Sequence, residues 1–196
     1  PMTVYDITAE LTAAKIYPGD PVTKVTRVRR IKSGDGCNLT AVSMCTHAGT
    51  HLEAPLHFID SGLSVNELDL ALFIGECSVV ACNGFCDDIT GADIERLVKN
   101  GTRKVLFKTV GRCRLTRSAA FALVNIGVEL VGIDAISIAP EDDEESVHRE
   151  LMSAGIAVLE GLVLRHVQSG SYTLVALPMK IDGVEAAPCR AILLKN

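Results

Sequence analysis

From residue 76 onward, short apolar runs alternate with segments that carry helix start and stop signals. "ECSVVAC" (76–82) reads as a buried strand. Thr90 and Asp93 then form a capping box, Ile94, Leu97 and Val98 supply the apolar stripe of a helix, and Gly101 is its stop. "KVLFKTV" (104–110) is the next strand. Thr116 caps a second helix through "RSAAFALVN", closed by Gly127 before the strand "VELVGIDAISI" (128–138). The acidic residues 141–145 suit the positive end of a third helix that stops at Gly155. "IAVLEGLVL" (156–164) and "YTLVALPM" (172–179) complete the series. Alternating strands and helices predict an α/β architecture with largely parallel pairing in this half.

The first 75 residues follow another pattern. Extended segments are punctuated by turns at "YPGDP" (17–21) and "SGDG" (33–36), without a convincing helix. They predict antiparallel or mixed β-structure packed on the same core. With neither a linker nor a low-complexity tract, the 196 residues read as a single domain. The hydrophobic fraction is 48% but aromatics make up only 4% and Trp is absent, so Val, Ile, Leu and Ala must build the core. A net charge of −5 argues against a nucleic-acid partner, which makes the basic "RVRRIK" (27–32) a solvated strand face. No run of eighteen apolar residues and no signal-peptide pattern is seen, giving the expectation of a cytoplasmic protein without a membrane partner. Seven cysteines without a CxxC pair read as buried thiols, and "CNGFC" (82–86) is a weak metal signal.

The chemistry concentrates in "CTHAGTHLEAPLHF" (45–58), which holds three of the chain's five histidines. His47, His51, Glu53 and His57 are separated by four, two and four residues. On a helix, at about 100° per residue, the first pair would face away from the second, and Gly49 and Pro55 oppose a helix in any case. In an extended chain their shared parity places all four on one face. Ten residues stretched straight span about 33 Å, whereas ligands of one ion converge to roughly 2.0–2.2 Å from it. The segment must therefore bend, and Gly49 and Pro55 are where it can. Neutral imidazole plus carboxylate suits Zn²⁺ or another divalent ion, Mn²⁺ included. Glu160 interrupts the apolar run "IAVLEGLVL", where a buried carboxylate needs a partner.

"HAGTHLEAPLH" (47–57) resembles the HxGTHxDxPxH motif of the cyclase family of metal-dependent hydrolases, whose best-known members are the bacterial kynurenine formamidases. The likeness extends through "YPGDP", "HFIDSG", "VGIDAISI" and "LPMKIDGVEAAPCRAILL". It implies a mixed, barrel-like sheet with flanking helices. It also implies that His47, His51 and Glu53 hold one metal, that the acid bridges to a second ion completed by His148 and Glu160, and that His57 is the acid/base. Because Gly155 ends the third helix, the strand after it can return and bring Glu160 beside His148. The resemblance puts Tyr17 where the family presents an aromatic residue to substrate, and implies one or two Zn²⁺ ions and a homodimer or homotetramer. Two departures stand out: Glu53 replaces the usual aspartate, and "FKTVGRCRLTRSAA" is shorter and more basic than the corresponding family segment.

A divalent ion with an open position lowers the pKa of its water to about 7 and polarises a carbonyl. With His57 to move the proton, these parts suit hydrolysis of a small amide such as an N-formyl arylamine. Hydrolysis of a cyclic amide or lactone, as in isatin-hydrolase-like relatives, is the enzymatic alternative. A metal-containing binding protein without turnover is the non-enzymatic one. Arg190, in "APCRAIL", is a candidate partner for a substrate carboxylate or for Glu53.

Overall fold

The computed structural model describes residues 2–82, 84–85 and 87–195. Its strands are β1 (Thr3–Asp6), β2 (Lys24–Arg29), β3 (Leu39–Ser43), β4 (His51–Glu53), β5 (Ile74–Ala81), β6 (Lys104–Lys108), β7 (Leu130–Ile133), β8 (Ala157–Glu160), β9 (Gly170–Pro178) and β10 (Ala186–Lys195). The α-helices are α1 (Gly91–Leu97), α2 (Arg117–Ile126) and α3 (Glu144–Ser153). Seven strands close into a mixed barrel in the order β10-β4-β8-β7-β6-β5-β9, with β9 pairing back onto β10 and β1 added outside β10. Strands β5 to β8 are parallel neighbours joined by the three helices, and the remaining barrel pairings are antiparallel.

Two-residue alternation sorts each barrel strand into an inner and an outer row. In β6, Leu106 joins Leu52, Leu130, Leu159 and Leu174 in the barrel interior. Its neighbours Val105 and Phe107 face outward and pack with Ile94, Leu123 and Leu151 of the helices. Gly132 sits on the inner row of β7 because an added Cβ would lie 2.5 Å from Leu106 Cδ2. The helix signals hold at both ends of α2, where Thr116 accepts the Ala119 N–H and Gly127 adopts φ 86°. The Thr90–Asp93 capping box forms as expected, but α1 ends at Leu97, short of the Gly101 turn.

Several elements differ from their sequence expectation. The 128–138 strand is reduced to β7: Asp134 N–H still reaches Phe107 O at 3.3 Å, but the next N–H groups of the neighbouring chain, on Thr109 and Val110, turn to the Asp134 carboxylate and the ladder stops. β8 likewise ends at Glu160, where Gly161 turns the chain with φ 68°. The 104–110 strand stops at Lys108, with Val110 at φ 55°. β10 was not in the expected strand series, yet it closes the barrel. The β2–β3 hairpin stands off the core with nearly every residue exposed, which agrees with a solvated "RVRRIK" but not with packing of this segment on the barrel. Of the "CNGFC" stretch, Asn83 and Cys86 lie outside the described residues, and Cys82 is a buried thiol pushed up to about 12, chiefly by burial. Among the described residues no helix is long and apolar enough to cross a membrane.

Candidate metal centre

The histidine segment bends where its composition allows. Gly49 adopts φ 64°, three residues of extended strand follow as β4, and a 3-10 turn at Pro55–His57 turns the chain again. Leu52 enters the barrel interior, so His51 and Glu53 project to the opposite face, toward α3. The antiparallel register sets His51 opposite Glu160 and Glu53 opposite Val158. α3 brings His148 over this pair of strands, and the turn brings His57 beside it. Thus 47–57, α3 and β8 deliver six polar side chains to one place. His51, Glu53, His148 and Glu160 are each no more than 3% exposed.

Glu53 is the hub. Its Oε1 lies 3.0 Å from His47 Nδ1, 3.4 Å from His51 Nε2 and 3.7 Å from His57 Nε2, and its Oε2 lies 3.3 Å from His148 Nε2. Glu160 Oε1 accepts the Ile138 N–H at 2.7 Å and stands 3.3 Å from His148 Nε2, while its Oε2 is 3.5 Å from His51 Nε2. Two backbone carbonyls fix the tautomers, since a carbonyl can only accept. Gly49 O takes His51 Nδ1–H at 3.0 Å and Glu144 O takes His148 Nδ1–H at 2.8 Å, so both Nε2 atoms face the carboxylates.

Burial and charge pull against one another in this cluster. Burial pushes Glu53 up, but His148, His47 and His51 outweigh it and hold the carboxyl well below its usual range. His51 is lowered by burial yet raised further by Glu160 and Glu53, to about 10. His148 and His47 are raised in the same way, against burial, by carboxylate neighbours. His57 behaves oppositely: burial dominates and lowers it, keeping the imidazole neutral near pH 7.

The donors fit a cation. His51 Nε2 and Glu53 Oε2 are buried without a hydrogen-bond partner, a costly arrangement unless something else satisfies them. Two triads, His47–His51–Glu53 and Glu53–His148–Glu160, each present donor atoms within 4.8 Å of one another. Donors around one tetrahedral ion stand about 3.4 Å apart, so small adjustments close either set, and Glu53 belongs to both. All five expected ligands and His57 therefore converge.

Tyr17 lines the same cavity of about 570 Å³, with its hydroxyl donated to Glu144 Oε2 at 2.6 Å. Arg190 does not reach the site. It pairs with Asp6 on the exposed β1–β10 edge, Nη2 to Oδ2 at 2.6 Å, which holds Asp6 down at about 2. Glu185 was missed: its Oε1 stands 3.1 Å from His47 Nε2 and accepts the Thr46 hydroxyl at 2.6 Å. It comes from the loop before β10, and neither of the two acids in "KIDGVEAAP" carries a spacing signal of its own.

A closed mixed barrel with a paired histidine–carboxylate donor set on its outer face defines a metal-binding α/β protein. The chain belongs to the cyclase family: the family model described as "Putative cyclase" matches residues 5–140. A solved structure described as a potential metal-dependent hydrolase with cyclase activity is 32% identical, with TM-score 0.88 over 100% of this chain and 99% of its own. A structure described as a predicted metal-dependent hydrolase from Bacillus stearothermophilus is also 32% identical, with TM-score 0.87 over 100% of both chains. An isatin hydrolase bound to the product analogue thioisatinate shares the fold at 19% identity, with TM-score 0.86 over 99% of this chain and 92% of that one.

Proposed function

We propose that this protein is a metal-dependent hydrolase acting on the carbonyl of a small amide. The observation that carries the reading is the convergence of five buried or half-buried donors from three chain segments, with two inward polar atoms otherwise unsatisfied. His47, His51 and Glu53 would hold one divalent cation and His148 and Glu160 a second, with Glu53 between them. Zn²⁺ or Mn²⁺ suits this nitrogen and oxygen donor set. Such a cation supplies Lewis-acid polarisation of the carbonyl and lowers the pKa of water toward neutrality.

The chain supplies the rest. His57 is neutral near pH 7, lies on the cavity wall and has its Nε2 3.7 Å from Glu53 Oε1. In this reading it would take a proton from the attacking water and return it to the departing nitrogen. The cavity, about 570 Å³, suits a small molecule rather than a polymer. An N-formyl arylamine is the first substrate class to test. A cyclic amide is the second reading, supported by the barrel shared with isatin hydrolases.

The test combines elemental analysis of the purified protein with turnover of formanilide and isatin, in the wild type and in His57→Ala. The expected result is bound divalent metal in both proteins and a loss of about 10²–10⁴-fold in kcat in the variant. Undiminished turnover in His57→Ala would remove it from the reaction. Metal without hydrolysis of either amide would favour a binding protein.

A further inference from the structure

The cavity wall also carries Arg114, in the loop that follows β6, and Arg165. Lys108, the last residue of that strand, donates its Nζ to Arg165 O at 3.2 Å and to Val167 O at 2.7 Å. The chain then enters the loop 109–114, where Val110 adopts φ 55° and Gly111 φ 70°. A left-handed β-branched residue persists only where its surroundings over-determine it. Here Asp134 does so, accepting Thr109 N–H and Oγ1–H at 2.7 Å each and Val110 N–H at 3.0 Å. Asp88 fixes the end of the loop by accepting the Arg114 N–H at 2.7 Å. One Nη of Arg114 is donated to the Gly111 and Cys113 carbonyls at 3.2 and 3.1 Å, which orients the guanidinium within its own loop.

Arg96, Arg103, Arg117, Arg149 and Arg190 each have an acidic partner; of the arginines that form no ion pair among the described residues, Arg114 and Arg165 are the two that line the cavity. Of the acids on the cavity wall, Asp134 and Glu144 are already engaged, while the Asp20 carboxylate has, among the described residues, only the Cys45 thiol at 3.7 Å. Asp134 is filled by its three donors, and Glu144 is taken by Tyr17 at 2.6 Å and Ser137 at 3.4 Å. A strained, braced loop that presents an unpaired guanidinium to a cavity is the arrangement expected for an anion, above all a carboxylate, which matches the guanidinium fork.

Resting on the amide-hydrolase reading, we infer that the substrate carries a carboxylate separate from the scissile carbonyl, and that Arg114 and Arg165 receive it. The probes are anthranilate and anthranilamide, both fluorescent and of nearly the same shape, titrated into the metal-loaded protein. The readout is the ratio of their Kd values in the wild type, Arg114→Ala and Arg165→Ala. Any direct contact of the carboxylate with metal contributes equally in all three proteins, so the change in ratio reports the arginines.

The expected result is a wild-type preference for anthranilate of about tenfold, reduced at least about threefold in each variant. A wild-type ratio near one, or a ratio preserved in both variants, would overturn the inference. Should Arg114→Ala fail to fold, Arg165→Ala decides alone, because that side chain is exposed. The two levels of the argument separate cleanly. Arginine-dependent anthranilate binding without hydrolysis of any amide leaves the anion site standing and removes the function, whereas amide hydrolysis without the preference does the reverse.

Discussion

Gly161 is where the fold and the candidate metal centre meet, and its replacement by alanine tests that connection. The residue follows Glu160 directly and adopts φ 68°. An added Cβ would lie 2.3 Å from Gly49 O, 2.9 Å from Gly49 C and 3.4 Å from Thr50 Cα, all backbone atoms that cannot rotate aside. Relief requires the two chain segments to separate by about 1 Å to reach ordinary contact. That movement disturbs Thr50 Oγ1–H to Gly161 O at 2.7 Å, Ala9 N–H to Thr50 Oγ1 at 2.8 Å, and His51 Nδ1–H to Gly49 O at 3.0 Å. A left-handed alanine costs about 1–2 kcal/mol, and two or three weakened hydrogen bonds add about 1 kcal/mol each. The expected destabilisation is therefore about 3–5 kcal/mol.

Gly155→Ala provides the control, since Gly155 has φ 75° but no atom within 4 Å of an added Cβ. It should show the backbone cost alone. Urea unfolding of both variants in the presence of chelator measures stability, and competition with a chromophoric chelator measures metal affinity. Gly161→Ala should lose both, Gly155→Ala only a little of the first. If the two variants are equally stable and Gly161→Ala binds metal like the wild type, the tight contact does not position the ligands.

Two further outcomes are expected. Glu185→Gln should weaken metal binding about 10–100-fold, because Glu185 is the outer carboxylate on His47; calorimetric titration of Zn²⁺ measures it, and an unchanged affinity would make the contact incidental. In the chelated protein, His51 is shifted by burial downward and by Glu160 and Glu53 upward, to about 10 overall, so its contribution is complete below the unfolded value of about 6.5 and is lost as pH rises through about 10. The chelated protein should accordingly lose Tm between pH 7 and pH 10 while metal affinity rises over the same range, as ions replace protons; a Tm independent of pH there would contradict the assignment.

The chain's pattern carried the parallel half of the fold and the clustering of the 47–57 side chains, for different physical reasons, whereas His148 was singled out only by the family resemblance. Thr116, Gly127 and the Thr90–Asp93 box are local signals, and they appear in the structure as local features. The bends at Gly49 and Pro55 follow from covalent geometry and the need of ligands to converge. Strand ends were less legible, because Asp134 and Gly161 terminate β7 and β8 through contacts with residues distant in sequence. β10 escaped because "AAPCRAILLK" holds a proline and an arginine, and only its pairing with β4, β9 and β1 reveals a strand. Glu185 and Asp134 were invisible for a related reason: an isolated acid has no period, and its role depends entirely on what folding sets beside it.

The proposed metal ligands of β4 gain their geometry from hydrophobic burial elsewhere in the same strand. β4 offers three residues, and alternation means that Leu52 and the pair His51 and Glu53 must face opposite ways. A register shift of one residue would turn both polar groups into the cluster of Leu106, Leu130 and Leu159, and would turn Leu52 toward α3. Burial of Leu52 contributes about 1.5–3 kcal/mol to the correct register, and exclusion of a carboxylate and an imidazole from the apolar interior adds more. The same register sets His51 opposite Glu160, so the contacts that close the barrel also fix which imidazole meets which carboxylate. His148 is subject to no such constraint from the ladder. It depends on Val147, Leu151 and Met152, whose packing on the outer face seats α3, and on the Glu144 carbonyl that orients its ring. The candidate centre is thus assembled by apolar contacts on both faces of the sheet, with its charged groups confined to the layer between them.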